Sequence, residues 1–519
     1  MAIAAMKIFI GSNKQFYSTR LMKQEYAMHG EGVILVDLQS TSEFFVTVIM
    51  KISAALREVV RGDLVVLNAI RAGKSVNDIV ESYLPKRMIN IAILMLHGLI
   101  HKNMWLIRIM ASMRTGEALV QMRVGEYEIG ACIYDSIIRR MALSSIDRLT
   151  LKQRFFVLME LAYFFGLKRY VEKNNIVYVV LPDNAYRNGL LFEIARVKSL
   201  PSIVGIDLNG MSMHRYAKAE DYVFHCRTPD EEVVRKVVES ESLIECAKQY
   251  LWMRTTAQEK QHDVLRAYSS NEHVDRESLV RSYGVNPGKK IALVMAHIFC
   301  DAPHAYPGML FKDYEDWLVK TCVRLSKNDQ INYLVKEHPS CTLYGEEGLT
   351  KKILESNGLH DKIMCANINT KSLFDSVDVL VTCGGTAGME FPCFGVPVLV
   401  AARSPYCYEE FIRCPSTTEE YMRELDLIHE YEKHDEEDCK RALAVLYVVQ
   451  SIMKVPREGF GLGTQDYYLG SQIDMANFFK EMEKDCRSGD GYEALVSSVY
   501  EFVHGPYDNF IDCRKLHEH

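Results

Sequence analysis

Two short stretches of this 519-residue chain carry side chains suited to holding an anion. The first runs from Val381 through Thr-Cys-Gly-Gly-Thr-Ala-Gly-Met to Glu390, then on to Phe-Pro-Cys-Phe-Gly-Val-Pro-Val-Leu399. An apolar strand ends at Val381, and small residues open a helix near Thr386. Gly384 and Gly385 let a ligand approach the main chain, while Thr386, Ala387 and Gly388 offer N–H groups of a helix start to a phosphate. Glu390 follows one turn later, where a carboxylate can hold a pair of ribose hydroxyls. Read alone, the run also fits a tight strand–helix turn without a ligand. It is not a Walker motif, because no Gly-Lys-Ser/Thr follows. The second stretch is Val335-Lys336-Glu337-His338-Pro339-Ser340. It directly follows an apolar run, so His338 falls at the carboxyl end of a strand and can donate to a phosphate oxygen. Lys336 adds charge, and Pro339 fixes the turn.

Other strand-terminal loops supply acids and bases. In His297-Ile-Phe-Cys-Asp301-Ala-Pro-His304, Asp301 and His304 read as substrate contacts, or as a capped surface turn. Asp207 ends an apolar run and is flanked by glycines in Val204-Gly-Ile-Asp-Leu-Asn-Gly210. A carboxylate there can act as a general base or as a nucleophile. Asp183 and Arg187 stand at a neighbouring strand end as alternatives. Three patches read as plain structure. Asp135 and Arg139, four apart, look like a helix-surface pair, with the border of an acceptor site as the alternative. Residues 310–317 look like the start of an amphipathic helix, and 434–438 like a solvated helix face.

The elements that must position these loops alternate in type. Short β-branched runs at 32–37, 63–68, 175–181 and 202–206 are interleaved with helical patterns at 42–61 and 189–197. From about 230 to 284 the chain is charged and helical. A second strand series follows at 291–296, 331–335, 362–365, 377–381 and 396–400. Strand, helix, strand in this rhythm predicts parallel α/β layers in two domains. The boundary falls near 285, giving 1–285, 286–455 and a helical tail over 456–519. Loops after strands in open parallel sheets are where ligands bind.

Composition narrows the function classes. The net charge of −7 excludes a broad phosphate-binding surface, so nucleic acid is not expected as a partner. Fourteen scattered cysteines without metal-like spacing read as reduced thiols of a cytoplasmic protein. The amino terminus reads as no signal peptide. The apolar segment 88–110 contains His97, His101, Lys102 and Arg108, which are costly in hydrocarbon. It reads as one or two buried helices, or as a helix lying on a membrane surface.

The His-Pro stretch, the Gly/Thr loop with its following Glu390, and Gly395-Val-Pro-Val-Leu399 together resemble the donor half of GT-B glycosyltransferases. The likeness is to bacterial capsule and surface-polysaccharide enzymes of the Kdo-transferase and sialyltransferase-like kind, which use CMP-activated sugars. It covers residues 286–425 and is faint over the amino-terminal half. The resemblance implies an α/β GT-B fold: two Rossmann-like domains facing a cleft, with a carboxy-terminal helical tail. It implies that His338 and Thr386 contact the nucleotide phosphate and that Asp207 activates the acceptor. It implies a nucleotide-sugar donor, a glycan or glycolipid acceptor, no metal and no cofactor, at the inner face of the membrane. The sequence departs from the pattern in one place, where Cys383-Gly-Gly-Thr386 replaces a pair of serines. A nucleotide-sugar 2-epimerase and a non-catalytic scaffold are the alternative readings of the same fold.

Overall fold

The computed structural model describes residues 1–24, 32–38, 42–68, 73–207, 210–216, 228–259, 262–305, 308–359, 363–364, 366–455, 468–469 and 472–517. Helix α1 (Ala2–Gln24) precedes strand β1 (Val33–Leu38), helix α2 (Glu43–Val60) and strand β2 (Asp63–Asn68). The residues of β1 and β2 are almost all apolar and buried, the signature of strands covered on both faces. Strand β3 (Arg87–Asn90) leads directly into helix α3 (Ile91–Ser112). Asn90 caps that helix by accepting the Ala92 N–H. The segment 88–110 is thus a strand followed by two helical pieces joined at a kink at Lys102, and its outer side is solvent-exposed rather than buried throughout. Among the described residues, no helix is long and apolar enough to cross a membrane.

Helices α4 (Gly130–Met141) and α5 (Leu151–Lys173) come next, then strand β4 (Ile176–Leu181), helix α6 (Asn188–Val197), and strands β5 (Ser202–Asp207) and β6 (Gly210–Tyr216). Thr150 starts α5 with a reciprocal capping box to Gln153. The first sheet has the order β3-β2-β1-β4-β5-β6, parallel except for the last strand.

Among the described residues four helices follow, of which α7 (Glu241–Thr255) is the longest. Their buried faces, through Val233, Val237, Leu243, Ala247 and Leu279, join the core of the second sheet. That sheet is built from β7 (Ile291–Met295), β8 (Asn332–Lys336), β9 (Ile363–Met364), β10 (Val379–Thr382), β11 (Val398–Val400) and β12 (Ile412–Arg413). Its order is β9-β8-β7-β10-β11-β12, all parallel. Numbered within each sheet, both orders are 3-2-1-4-5-6, that of the Rossmann dinucleotide-binding fold.

The chain then returns to its beginning. Helices α8 (Met475–Ser488) and α9 (Asp490–His504) place Phe478, Phe479, Met482 and Leu495 in one core with Phe9, Tyr17 and Ile49. Beneath them, Lys51 and Asp485 form a buried ion pair at 2.5 Å. The Arg215 guanidinium donates to the carbonyls of Phe502, Val503, Gly505 and Tyr507, tying β6 to the end of α9.

Candidate functional site

Strand order reverses between β7 and β10 in the second sheet, the point of an open parallel sheet at which ligands bind. Both loops carry unusual residues. After β7, His297 stacks on Tyr314 with ring centroids 4.5 Å apart. Its Nε2 accepts the Cys383 N–H at 3.2 Å and lies 3.2 Å from Thr382 Oγ1. Because Nε2 accepts, the ring proton sits on Nδ1. Burial, with the nearby His338, pushes the His297 pKa down to about 3. His297 is therefore a neutral prop that holds the glycine loop. Sequence reasoning passed it over, although its place just after a strand was visible.

The loop itself runs where the sequence placed it. Gly384 has φ of 138°, a conformation that side chains rarely adopt. Gly385, Thr386 and Ala387 are half-buried, and a short helix from Ala387 to Glu390 continues into a 3₁₀ turn. Tyr406 donates to the Gly385 carbonyl at 2.8 Å and fills the space beside Gly388. After β8, the half-buried His338 accepts the Ser340 N–H on Nδ1 at 3.1 Å. That bond leaves the proton of the neutral ring on Nε2 as a donor. Pro339 is half-buried in the same turn. His338, His297 and the Gly384–Thr386 loop thus gather on three adjacent strand ends.

Two of the predicted binding residues take other roles here. Lys336 is fully buried, with Nζ donating to the Ala366 carbonyl at 3.2 Å, so its charge lies inside the sheet rather than at its mouth. Glu390 is also interior. Its two oxygens accept from Arg254 Nε at 2.5 Å and Tyr268 OH at 2.6 Å. Burial opposes the Arg254 charge, and Glu390 with Tyr250 and Tyr268 overcomes it, holding the arginine above its usual value. The sequence placed Glu390 correctly on its helix but could not show that α7 brings Arg254 to it.

The second half meets the first across the loop that follows β7. His304 Nδ1 lies 2.7 Å from Asp135 Oδ1 on α4, and the His304 N–H donates to Asp135 Oδ2 at 3.2 Å. Asp301 accepts from Tyr186 OH at 2.5 Å and from Tyr344 OH at 3.2 Å. Asp313 accepts from Tyr134 OH at 2.5 Å and Ser145 Oγ at 2.6 Å. Asp301 and His304 lie at the junction of the halves, each engaged by a side chain of the first half.

Two of the patches read as plain structure change meaning, while 434–438 keeps a solvated face at Asp435, Glu436 and Glu437 and turns only His434 inward. Asp135 and Arg139 are not a solvent pair, because Asp135 is buried on His304 and Arg139 lies over the Tyr344 ring at 4.4 Å. The helix start at 310–317 carries Asp313, a buried bridge between the halves. His434 is largely buried, 3.5 Å from Asp438.

On the first half, the loop after β4 lies at that sheet's own reversal of strand order. Asp183 there accepts the Ala185 N–H at 3.1 Å. Tyr186 has φ of 53°, a left-handed conformation costly for a large side chain. Arg187 makes a forked ion pair with the buried Glu160, so it is committed to the interior. Asp207 ends β5, its backbone paired with Gly210 of β6, and its side chain lies outside the described residues. A cavity of about 230 Å³ opens beside the interdomain pair, lined by Met122, Cys132, Asp135, Asn184, Ala185 and His304.

Loops from the carboxyl ends of two Rossmann-like sheets therefore face each other across a crevice, which is the GT-B architecture. The assignment rests on the strand orders of this chain. No family model and no curated protein matches the sequence. Among solved structures, the chain is similar to the beta Kdo 2,4 transferase KpsC of Thermosulfurimonas dismutans. The identity is 15% and the TM-score 0.32, over 52% of this chain and 79% of that one. It is also similar to the UDP-GlcNAc 2-epimerase of Neisseria meningitidis bound to UDP-GlcNAc, at 11% identity and a TM-score of 0.23, over 80% and 97% of the two chains. A glycosyltransferase of Rickettsia africae matches at 9% identity and a TM-score of 0.22, over 92% and 100%.

Proposed function

We propose that this chain is a glycosyltransferase that moves a sugar from a nucleotide-activated donor onto a surface glycan. The observation that carries the reading is the convergence at the second sheet's reversal point. There His338 and the Gly384–Thr386 loop, propped by the neutral His297, end three adjacent strands. Main-chain N–H groups and an imidazole N–H suit a diphosphate or monophosphate leaving group, whose charge grows as the glycosidic bond breaks. The His-Pro motif supports a CMP-activated Kdo or other nonulosonic acid as the donor. The acceptor is a capsule or lipopolysaccharide glycan, or its glycolipid precursor, at the cytoplasmic face of the membrane. It enters from the first half, beside the cavity at Asn184 and Asp135. Asp207 is the proton acceptor. In functional terms residues 1–285 serve the acceptor, 286–455 the donor, and 456–519 buttress the first half.

A thermal-shift series with CMP, CDP, UDP, GDP and their sugars tests the reading. One nucleotude class should raise the melting temperature, since a ligand that binds only the folded state stabilises it by mass action. His338→Ala should weaken that nucleotide's binding in calorimetry roughly tenfold, the loss of one hydrogen bond to a charged group, while leaving the fold intact. No stabilisation by any nucleotide, or unchanged affinity in the variant, overturns the assignment.

A further inference from the structure

Helix α3 is apolar on two opposite sides. Its inner side is pinned to α5 by backbone contact. A Cβ added at Gly98 would fall 1.8 Å from the Ala162 carbonyl oxygen, and one at Gly166 would fall 1.9 Å from that of Leu94. Ile91, Leu94, Met95 and Leu106 bury themselves on that side. The outer side carries Ile93, Leu96, Ile100, Met104 and Ile107, each 50–66% exposed. Their spacing of three and four residues makes a stripe roughly 20 Å long at the rise of a helix, with Ile93, Leu96 and Ile100 before the kink at Lys102 and Met104 and Ile107 after it. Water-facing apolar rows of this size mark a surface that something covers.

Charge indicates what covers it. No Asp or Glu occurs between residues 86 and 116 of a chain whose net charge is −7. His97, His101, Lys102 and Arg108 are exposed on the same helix. Desolvation, and then Arg169, His97, Lys173 and Lys102, hold the His101 ring below its usual value, and the lysines and arginines of α3 and the end of α5 share one positive field. An apolar stripe flanked by cations matches the interface of a bilayer that contains anionic lipid, where apolar side chains enter the acyl boundary and cations meet headgroups. We propose that the outer face of α3 seats the protein on an anionic membrane surface, lying in the interface.

The test uses the full chain without any nucleotide sugar, so its result is independent of the transferase reading. Flotation is measured with vesicles of phosphatidylcholine alone and of phosphatidylcholine mixed with phosphatidylglycerol. The wild type should float with the anionic vesicles, and less as salt rises. Leu96→Glu/Ile100→Glu/Met104→Glu should lower the partition constant about tenfold or more at an unchanged melting temperature. Lys102→Glu/Arg108→Glu, which keeps the stripe, should cut binding to anionic vesicles about tenfold and leave the phosphatidylcholine baseline alone. That second variant decides if the first melts early. Wild type that stays unbound at low salt, or charge-reversed protein that floats as well as wild type, overturns the proposal. So does a stripe-dependent dimer in sedimentation that excludes vesicles, since the face would then belong to a second copy.

Discussion

At the scale of single residues, the pair His304–Asp135 is the most informative contact between the halves. Burial opposes charge on the ring, but Asp135, the more distant Asp313 and the Lys312 carbonyl outweigh it and raise the His304 pKa. Burial likewise pushes the Asp135 carboxyl up, so the pair holds its proton more firmly than either group in water. A histidine whose folded value is raised stabilises fully below its unfolded value, near 6.5, and that contribution disappears as pH climbs through the folded value. Melting temperature should therefore decline from about pH 6.5 upward by an amount that Asp135→Asn removes, read as two melting curves against pH. Asp207 makes a separate expectation. Asp207→Asn should lower transfer roughly 10²-fold with little change in nucleotide affinity, because it removes a proton acceptor on the opposite half. An aspartate that merely caps a turn would leave turnover near wild type, since asparagine caps equally well.

At the scale of elements, helix pairs and loops were legible to different degrees. Strands such as 63–68 and helices such as 42–61 show themselves by local periodicity, and the structure has Asp63–Asn68 and Glu43–Val60. Strand β3 was hidden because its four residues run straight into the apolar helix behind them. Arg254 could not be paired with Glu390 from sequence, because 136 positions separate them. The α3–α5 contact carries its own test. Alanine normally favours a helix over glycine by about 1 kcal/mol, yet Gly98→Ala should destabilise by roughly 1–3 kcal/mol. The added methyl meets backbone, not a movable side chain. Urea denaturation of the variant measures it, and a gain in stability would mean the two helices can slide apart.

For the whole molecule, the return of the tail matters most. The aromatic residues of α8 and α9 complete the core of the first half, and Asp485 neutralises the buried Lys51. A chain ending at Val455 should lose the cooperative melting of its first half, or aggregate. Leaving one member of a buried ion pair alone costs about 3–5 kcal/mol before the lost apolar contacts are counted. Residues 468–517 supplied as a separate peptide should restore part of the transition in calorimetry.

The amino-acid sequence by itself determined the α/β rhythm in two series and the placing of His338 and the Gly384–Thr386 loop at strand ends. Those features are local, since hydrophobic period and small-residue runs are written within a dozen positions. Tertiary structure decided what each charged group does. It turned Lys336 and Glu390 inward, committed Arg187 to Glu160, and joined Asp135, Asp301 and Asp313 to partners on the other half. A charge's role depends on which distant donors reach it and how much water they exclude, and neither is encoded in neighbouring residues.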